Sequence, residues 1–263
     1  MTDNTVVIYH GGCYDGFCCA WIARKFYPNA NFVHSYYDDK LPDVIGKDVY
    51  ILDYSFPPDI LTQICDVANR VVLCDHHKTF QPTAKIFKHY KLIIKFDNMK
   101  SGARLTWEHF FGDMASHWLV DYTEDRDLWN WKLPFSKEIN ACLRSHPFNF
   151  ELWDTLSALN STTLIPEGVG ILRREKQIID SHVQKAKEVI IGGHKVLGVN
   201  ATSMPSEIGN ALAIGRPFGA VYFIREDGKK VWSLRSTDEG LDVSEIAKSF
   251  GGGGHRNAAG FVE

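Results

Sequence analysis

The chain has 263 residues, of which 44% are hydrophobic and 13% aromatic, and its formal net charge is −3. This length exceeds that of a typical single domain, and the hydrophobic content excludes a disordered chain. The small negative charge argues against a protein that grips long duplex nucleic acid through many phosphates, and it favours a short or small anionic substrate.

The first half of the chain alternates short apolar strands with helical segments. Strands are predicted at 6–10, 31–36, 48–54, 71–75 and 92–96, and helices at 16–27, 58–69 and 101–111. Elements that alternate in this way form a parallel sheet with helices on both faces. Because ligands gather beyond the carboxyl ends of such strands, we expect the polar residues at those ends to share one site: His10, Asp53 and Asp75.

The second half contains more helix before a smaller α/β unit begins. Helical segments are predicted at 136–159 and from about Pro166 to Val189, since proline fits a first helical turn. Strands then follow at 195–201, 219–225 and 230–236, with helices at 206–214 and 243–250. The chain is therefore predicted to contain a domain at 1–160, a helical linker at 161–190 and a second α/β domain at 191–263.

The cysteines and the N-terminal segment indicate the compartment. None of the six cysteines belongs to a C-x-x-C pair, and the polar N-terminal residues run directly into a strand. No apolar run approaches the length that crosses a bilayer. We therefore expect a cytoplasmic protein with reduced thiols and no membrane partner.

The strand predicted at 71–75 leads into three consecutive ionisable residues, Asp75, His76 and His77. Packing does not explain them, because a buried strand would not retain such side chains, although a polar turn with incidental histidines is the alternative. Carboxylate and imidazole ligands together suit Mn²⁺, Zn²⁺ or Fe²⁺. The motif therefore predicts a metal site.

Two more strand ends carry polar residues. His10 is followed by a pair of glycines, Cys13 and Asp15, where the backbone can approach a ligand and the next helix supplies N–H groups. An ordinary strand-to-helix turn with Asp15 as the N-cap is the alternative. Asp53 ends the strand at 48–54 and is a weak signal by itself.

The last motif is a run of four glycines at 251–254, followed by His255 and Arg256. The glycines would leave several backbone N–H groups to cradle an anion, and the two side chains would add charge-assisted donors. A flexible glycine tail is the alternative, which fits poorly with the polar residues and the Ala258-Ala259-Gly260-Phe261 sequence that follow.

Taken in this order, the three N-terminal motifs resemble those of the DHH phosphoesterase superfamily. The glycine run, with Arg235 and Ser236 ahead of it, resembles the substrate-binding domain associated with that superfamily. Members include inorganic pyrophosphatases, exopolyphosphatases, single-strand exonucleases and nanoRNases. The resemblance spans His10 to Phe261 and implies a parallel-sheet DHH domain joined by a long helix to a smaller α/β domain.

The resemblance also implies a two-metal hydrolase. Five residues would hold the two divalent ions, with Asp53 shared between them: His10, Asp15, Asp53, His76 and Asp127. Asp75 would orient His76, while His77 would contact the scissile phosphate. Five further residues would bind the substrate: Arg235, Gly253, Gly254, His255 and Arg256. Mn²⁺ is the expected ion.

Two assignments stay open at this point. The fourth acidic motif, at 120–129, offers both Asp127 and Asp125, of which Asp127 is favoured. Cys13 stands where the family usually has an aspartate, and thiolate is a poor ligand for hard ions. The first ion would therefore bind weakly, bind through Cys13, or be Zn²⁺ or Fe²⁺.

The substrate expected from the resemblance is a short oligoribonucleotide, as for the nanoRNases. The alternatives are cyclic or linear dinucleotides, adenosine bisphosphate, pyrophosphate and polyphosphate. A different class of function is a nucleotide-binding sensor that has lost turnover because of Cys13. Long duplex nucleic acid is not an expected partner, and a homodimer is compatible with the sequence.

Overall fold

The computed structural model describes residues 4–36 and 40–263. Its residue contacts divide the chain into two units, Met1–Leu172 and Arg173–Glu263. The division falls inside the long helix that was predicted to link two domains.

The first unit is built on five parallel strands, which are β1 (Thr5–His10), β2 (Asn31–Ser35), β3 (Asp48–Leu52), β4 (Arg70–Asp75) and β5 (Leu92–Phe96). Their order in the sheet is β2-β1-β3-β4-β5. The chain first adds β2 on one side of β1 and then returns to add β3 on the other side. This reversal opens a crevice at the carboxyl ends of β1 and β3, where ligands bind in open α/β sheets.

Helices cover both faces of this sheet, as predicted. They are α1 (Tyr14–Arg24), α2 (Pro58–Val67), α3 (Gln81–Ile86), α4 (Gly102–Phe111), α5 (Trp118–Asp127), α6 (Ser136–Ser145) and α7 (Phe150–Ser157). Alternate strand residues enter different cores. Val7, Leu52 and Val72 pack with α1 and α4–α7, whereas Ile8, Ile51 and Leu73 pack with α2. Burial on both faces explains why these strands are continuously apolar.

The second unit contains a six-stranded mixed sheet. Its strands are β6 (Lys187–Ile191), β7 (His194–Asn200), β8 (Gly219–Ile224), β9 (Lys230–Arg235), β10 (Gly253–His255) and β11 (Ala258–Val262). They lie in the order β10-β11-β9-β8-β7-β6, and only the β7–β8 pair is parallel. Helices α9 (Pro205–Ala213) and α10 (Val243–Ser249) pack on this sheet. The α/β class predicted for both parts of the chain is confirmed.

Several elements differ from the prediction. Helix α8 (Ile165–Lys185) ends before Val189, because the β-branched run up to Ile191 pairs with β7 through a turn in which Gly192 and Gly193 have positive φ. The predicted helix at 136–159 is two helices, since His146 precedes a proline and takes an extended conformation. Helix α5 and the β10–β11 hairpin were not predicted.

No helix in the described parts of the chain is long and apolar enough to cross a membrane.

Two glycines of α8 have opposite surroundings and allow a matched stability test. A Cβ atom on Gly168 would lie 1.9 Å from the carbonyl oxygen of Glu138 in α6, whereas one on Gly170 would meet nothing within 4 Å. Gly168→Ala should therefore lower the free energy of unfolding by about 1–3 kcal/mol. Gly170→Ala should raise it by about 0.5–1 kcal/mol, because alanine is the better helix former.

Urea unfolding of both variants, followed by circular dichroism, measures the two effects. Equal stabilities of Gly168→Ala and Gly170→Ala would contradict the close contact between α8 and α6.

Candidate metal centre

Asp53 lies in the crevice between β1 and β3 and is 1% exposed. It follows the last residue of β3 with φ of 53°, a left-handed conformation that non-glycine residues seldom adopt. Its N–H donates a hydrogen bond of 2.8 Å to the Cys74 carbonyl, which fixes this bend to the neighbouring strand β4. Strain of this kind persists only where the surroundings determine the conformation, and it is typical of functional sites.

The Asp53 carboxylate lies between two imidazoles. Its Oδ2 is 3.4 Å from Nδ1 of His10, the last residue of β1, and its Oδ1 is 3.2 Å from Nε2 of His76. His76 follows the last residue of β4. Three neighbouring strands therefore deliver one residue each to the same point, as the shared carboxyl edge of the sheet predicts.

Asp15 enters the cluster from the first turn of α1. Its two carboxylate oxygens accept hydrogen bonds from the N–H groups of Gly102 and Ala103, at 2.6 and 3.0 Å, at the N-terminus of α4. A Cβ atom on Gly102 would lie 2.6 Å from Cβ of Asp53 and 2.9 Å from Oδ2 of Asp15. Glycine is therefore required where the helix meets the two carboxylates.

His76 joins the remaining acids. Its Nε2 lies 3.5 Å from Oδ2 of Asp127, the last residue of α5, and 3.8 Å from Oδ2 of Asp15. Together with Asp53, these residues surround one point with one imidazole and three carboxylates. Such a donor set suits divalent ions such as Mn²⁺ or Zn²⁺.

The geometry separates Asp127 from Asp125. The carboxylate of Asp125 is buried and accepts hydrogen bonds from the N–H groups of Lys132 and Leu133, at 2.9 and 3.3 Å. It holds the loop after α5, whereas Asp127 contacts His76. Of the two candidates in the fourth motif, Asp127 is thus the one that lies in the cluster.

A second group of metal-ligand atoms shares Asp53. Ligand atoms of His10, Cys13 and Asp53 lie within 4.8 Å of one another. Cys13 occupies the N-cap position of α1, yet its side chain accepts no capping hydrogen bond. Burial and, to a lesser degree, the charge of Asp53 raise the pKa of the Cys13 thiol to about 11. The thiol would have to lose its proton to bind an ion.

The structure corrects the partner expected for Asp75. Its Oδ1 lies 2.7 Å from Nδ1 of His77 and accepts hydrogen bonds from the N–H groups of His76 and His77. Asp75 thus orients the imidazole of His77, and it contacts His76 through the backbone. The turn after β4 places the side chain of His77 over Asp75, so the imidazole of His77, rather than that of His76, contacts the Asp75 carboxylate.

The ionisation of the cluster shows its excess of negative charge. Burial raises the pKa of Asp15 and of Asp127, and the charge of Asp53 adds to both shifts. Burial lowers the pKa of His10 and of His76, but contacts with Asp53, helped by Cys13 at His10 and by Asp127 at His76, outweigh it and bring these values to about 12 and about 10. The carboxylates therefore hold positive charge on the imidazoles.

Divalent ions fit this arrangement. Both Asp53 oxygens are buried, and although the imidazoles of His10 and His76 lie 3.4 and 3.2 Å away, no described residue donates a well-aligned hydrogen bond to them. Buried carboxylates without donors are costly unless a cation compensates them. His10, Cys13 and Asp53 could hold one ion, and Asp15, Asp53, His76 and Asp127 the other.

The C-terminal glycine run has a more structural role than the sequence indicated. The N–H groups of Gly251 and Gly252 donate to the carbonyls of Lys248 and Ala247 and end α10. A Cβ atom on Gly252 would lie 2.0 Å from the Gly260 carbonyl oxygen, and one on Gly254 would lie 2.5 Å from that of Ala258. These glycines terminate a helix and permit close backbone contact within the β10–β11 hairpin.

Arg256 is likewise engaged in local structure. Its guanidinium donates to the carbonyl oxygens of Thr237, Asp238 and Gly240 and to the side chain of Asn257. The guanidinium N–H groups of Arg256, which were expected to bind substrate, therefore stabilise the turn at 237–240. Arg235, at the end of β9, donates to Ser206 Oγ at 2.8 Å, and His255 is the last residue of β10.

Comparison with known proteins found a family model that matches the second unit and a relative that matches nearly the whole chain. A protein-family model, the DHHA1 domain, matches residues 185–262. The uncharacterized protein R106 of Acanthamoeba polyphaga mimivirus is 32% identical over 285 residues, covering 98% of this chain and 67% of R106. The oligoribonuclease NrnB of Bacillus subtilis is 26% identical over 220 residues, covering 76% of this chain and 54% of NrnB.

The chain belongs to the DHH phosphoesterase superfamily. It is thus a member of a family of phosphoester hydrolases, as the motifs at Asp53 and Asp75 predicted. The chain spans about half the length of the Bacillus relative.

Solved structures share the fold over nearly the whole chain. The pGpG-specific phosphodiesterase PggH of Vibrio cholerae has a TM-score of 0.55 at 16% identity, covering 98% of this chain and 92% of PggH. RecJ of Thermus thermophilus in complex with Mn²⁺ has a TM-score of 0.51 at 13% identity, covering 98% of this chain and 49% of RecJ. The DHH fold expected from the sequence is confirmed.

Sequence reasoning missed Gly102. Ser101 caps α4 by accepting a hydrogen bond from the Arg104 N–H, and a serine before a predicted helix is a visible start signal. The need for glycine at the next position arises only from the approach of Asp15 and Asp53. That approach is tertiary and leaves no local pattern.

Asp127→Asn and Asp125→Ala should separate metal binding from stability. Asp127→Asn should weaken Mn²⁺ binding without lowering the Tm of the metal-free protein, since its side chain contacts only the cluster residue His76 among the described ion-pair partners. Asp125→Ala should lower the free energy of unfolding by about 1–2 kcal/mol, because two partly buried N–H groups lose their buried acceptor. Calorimetric Mn²⁺ titration and thermal unfolding measure the two. Loss of Mn²⁺ binding in a folded Asp125→Ala protein would contradict the assignment.

Cys13→Asp should tighten Mn²⁺ binding at the half of the cluster that contains His10. A carboxylate is a harder ligand than a thiolate, so affinity should rise for Mn²⁺ and fall for Zn²⁺ relative to the wild type. Cys13→Ser, which has nearly the same size, is the control for packing. Calorimetric titration with each ion checks the result, and identical Mn²⁺ affinities in all three proteins would remove Cys13 from the site.

Proposed function

We propose that the chain hydrolyses phosphodiester bonds of short oligonucleotides at a two-metal centre. The observation that carries the proposal is the sharing of Asp53 by two sets of ligand atoms, His10–Cys13–Asp53 and Asp15–Asp53–His76. Two-metal sites of phosphodiester hydrolases place their ions about 3.5–4 Å apart, a spacing that a shared carboxylate supports. The fold shared with the Mn²⁺ complex of RecJ supports Mn²⁺ as the ion.

When bound, the ions would lower the pKa of a water molecule and neutralise developing charge on the phosphate. The side chains of the chain itself would position these parts. Asp53 would hold both ions in register, because its backbone is fixed to Cys74. Asp75 holds Nδ1 of His77, so this imidazole would meet the scissile phosphate through Nε2.

The second unit, which contains the DHHA1 match and is called the DHHA1 unit below, would bind the substrate. Arg235 is held by Ser206 at the end of β9, and His255 lies beside the hairpin turn. Gly253 and Gly254 would offer backbone contacts at the same hairpin. Arg256 would act indirectly, by fixing the turn at 237–240 through its hydrogen bonds to three carbonyls.

Charge supports a short substrate. From Ile191 to the end, the chain has eight Lys and Arg residues and eight Asp and Glu residues, so this part carries no net positive charge. A long strand needs many basic contacts, whereas two to five nucleotides need few. The named activities of relatives agree in size, since NrnB is an oligoribonuclease and PggH is specific for pGpG.

The direct test is hydrolysis by the purified chain with Mn²⁺. Substrates would be RNA of two, five and twenty nucleotides, pGpG, a cyclic dinucleotide, adenosine bisphosphate, pyrophosphate and polyphosphate. Release of mononucleotides from the short RNAs supports the proposal. Faster turnover of pyrophosphate or polyphosphate would reassign the substrate, and binding without turnover would indicate a sensor.

Asp53→Ala should abolish hydrolysis without unfolding the protein. Removing the shared carboxylate should lower kcat by more than about tenfold, because both ions lose a ligand. Asp59→Ala is the matched control, since it makes the same change at an exposed position in α2. Initial rates and thermal unfolding of both variants decide the matter; a rate for Asp53→Ala near that of the control would exclude a bridging role.

Activity should fall as the substrate lengthens. A labelled dinucleotide should outcompete a 20-mer of the same sequence, because the DHHA1 unit lacks the net charge to hold a long strand. Competition at fixed Mn²⁺ and about 0.15 M salt gives the ratio of kcat/KM values. Preference for the 20-mer would instead indicate a processive exonuclease.

A further inference from the structure

A separate group of residues that could bind a metal is distant in sequence from the Asp53 centre and shares no residue with it. Atoms of Cys142, His146 and Glu167 that can bind a metal lie within 4.8 Å of one another. Cys142 is in the last turn of α6, His146 is the first residue after that helix, and Glu167 is in the first turn of α8. The proposed hydrolysis uses none of the three.

We propose that Cys142, His146 and Glu167 form a separate site for a Zn²⁺ ion that fastens α6 to the first turn of α8. Ligand atoms around tetrahedral zinc lie about 3.3–3.8 Å apart, given bond lengths of about 2.0–2.3 Å. Side-chain rotations that move atoms by about 1 Å would bring atoms within 4.8 Å of one another to that spacing. Glu167 is exposed, so water could supply the fourth ligand.

The donor set selects the ion. Thiolate and imidazole ligands favour Zn²⁺, whereas Mg²⁺ and Mn²⁺ prefer oxygen. Cys142 is fully buried and His146 is partly buried, which shields two of the ligands from bulk water. The site is therefore expected to discriminate against the Mn²⁺ proposed for the Asp53 centre.

The backbone that carries these ligands is held in place. Tyr14 Oη donates to the carbonyl oxygen of Arg144 at 2.7 Å, and Ser145 Oγ donates to that of Cys142 at 2.7 Å. Gly168 brings α8 against α6, since a Cβ atom there would lie 1.9 Å from the Glu138 carbonyl oxygen. A site on two helices in direct backbone contact meets the demand that metal ligands be preorganised.

The alternative is that Cys142 packs as a small apolar residue and donates its S–H to Glu167. That interpretation explains the cysteine and the glutamate but gives His146 no part. It also predicts no metal binding, which makes the two interpretations distinguishable.

The test uses Co²⁺ as a probe, because cobalt bound by thiolate absorbs strongly in the near ultraviolet. Cys13 could give the same signal, so the experiment starts from metal-free Cys13→Ser protein. Co²⁺ added in excess over the ions that the Asp53 centre can hold should produce the thiolate band, and Zn²⁺ should displace it, because thiolate ligands favour Zn²⁺. The band should disappear in Cys13→Ser/Cys142→Ser and persist in Cys13→Ser/Cys65→Ser, where another buried cysteine is changed.

Absence of the band in Cys13→Ser, or its survival after Cys142→Ser, would overturn the proposal. If Cys142→Ser fails to fold, Cys13→Ser/His146→Ala provides the same test at a partly exposed position and should lose or shift the band. An unchanged band there would remove His146 from the site. Because no readout depends on hydrolysis, the outcome is independent of the proposed function.

Discussion

The structure depends on the close approach of three carboxylates, of which those of Asp15 and Asp53 are fully buried and that of Asp127 is partly buried. Asp15, Asp53 and Asp127 meet around His76, in a place where like charges repel and water is scarce. Two neighbouring features offset part of this cost, namely the N–H groups at the start of α4 and the positive charge held on the imidazoles. The remainder calls for divalent cations. Stability and metal binding are therefore coupled in the first unit.

Much of this centre could be predicted from the sequence because its residues stand at the ends of apolar strands. A carboxylate or imidazole directly after an apolar strand stands out from the hydrophobic pattern. Parallel strands bring their carboxyl ends to one edge of the sheet, so such residues meet there. His10, Asp53 and His76 followed from that pattern and from the family motifs. For the acid of the fourth motif the sequence favoured Asp127 but left Asp125 open, since the two lie two residues apart on an unpredicted helix. Only the structure distinguishes their roles, because it shows the Asp125 carboxylate hydrogen-bonded to the loop after α5.

The glycines show why other features escaped prediction. A glycine run can expose N–H groups to a phosphate, end a helix or admit another backbone, and these uses look alike in a sequence. Gly251 and Gly252 end α10, whereas Gly254 admits the backbone of β11. The structural role of Arg256 also escaped prediction. The carbonyl groups that it binds lie 16 to 19 positions away in the sequence. Long-range contacts of this kind leave no local periodicity.

The two halves of the centre differ in hardness, and Asp53 couples them. One half offers carboxylates and a single imidazole from Asp15, Asp127 and His76, while the other offers His10 and the thiol of Cys13. A thiolate donates more electron density to its ion than a carboxylate does, so an ion held by Cys13 would draw less density from the shared carboxylate than an ion held by an aspartate in its place. The identity of one ion thus affects the affinity of the other through Asp53. If the thiol of Cys13 binds an ion, the occupancy of the two halves would depend on which metals are available, whereas an aspartate there would make the halves alike.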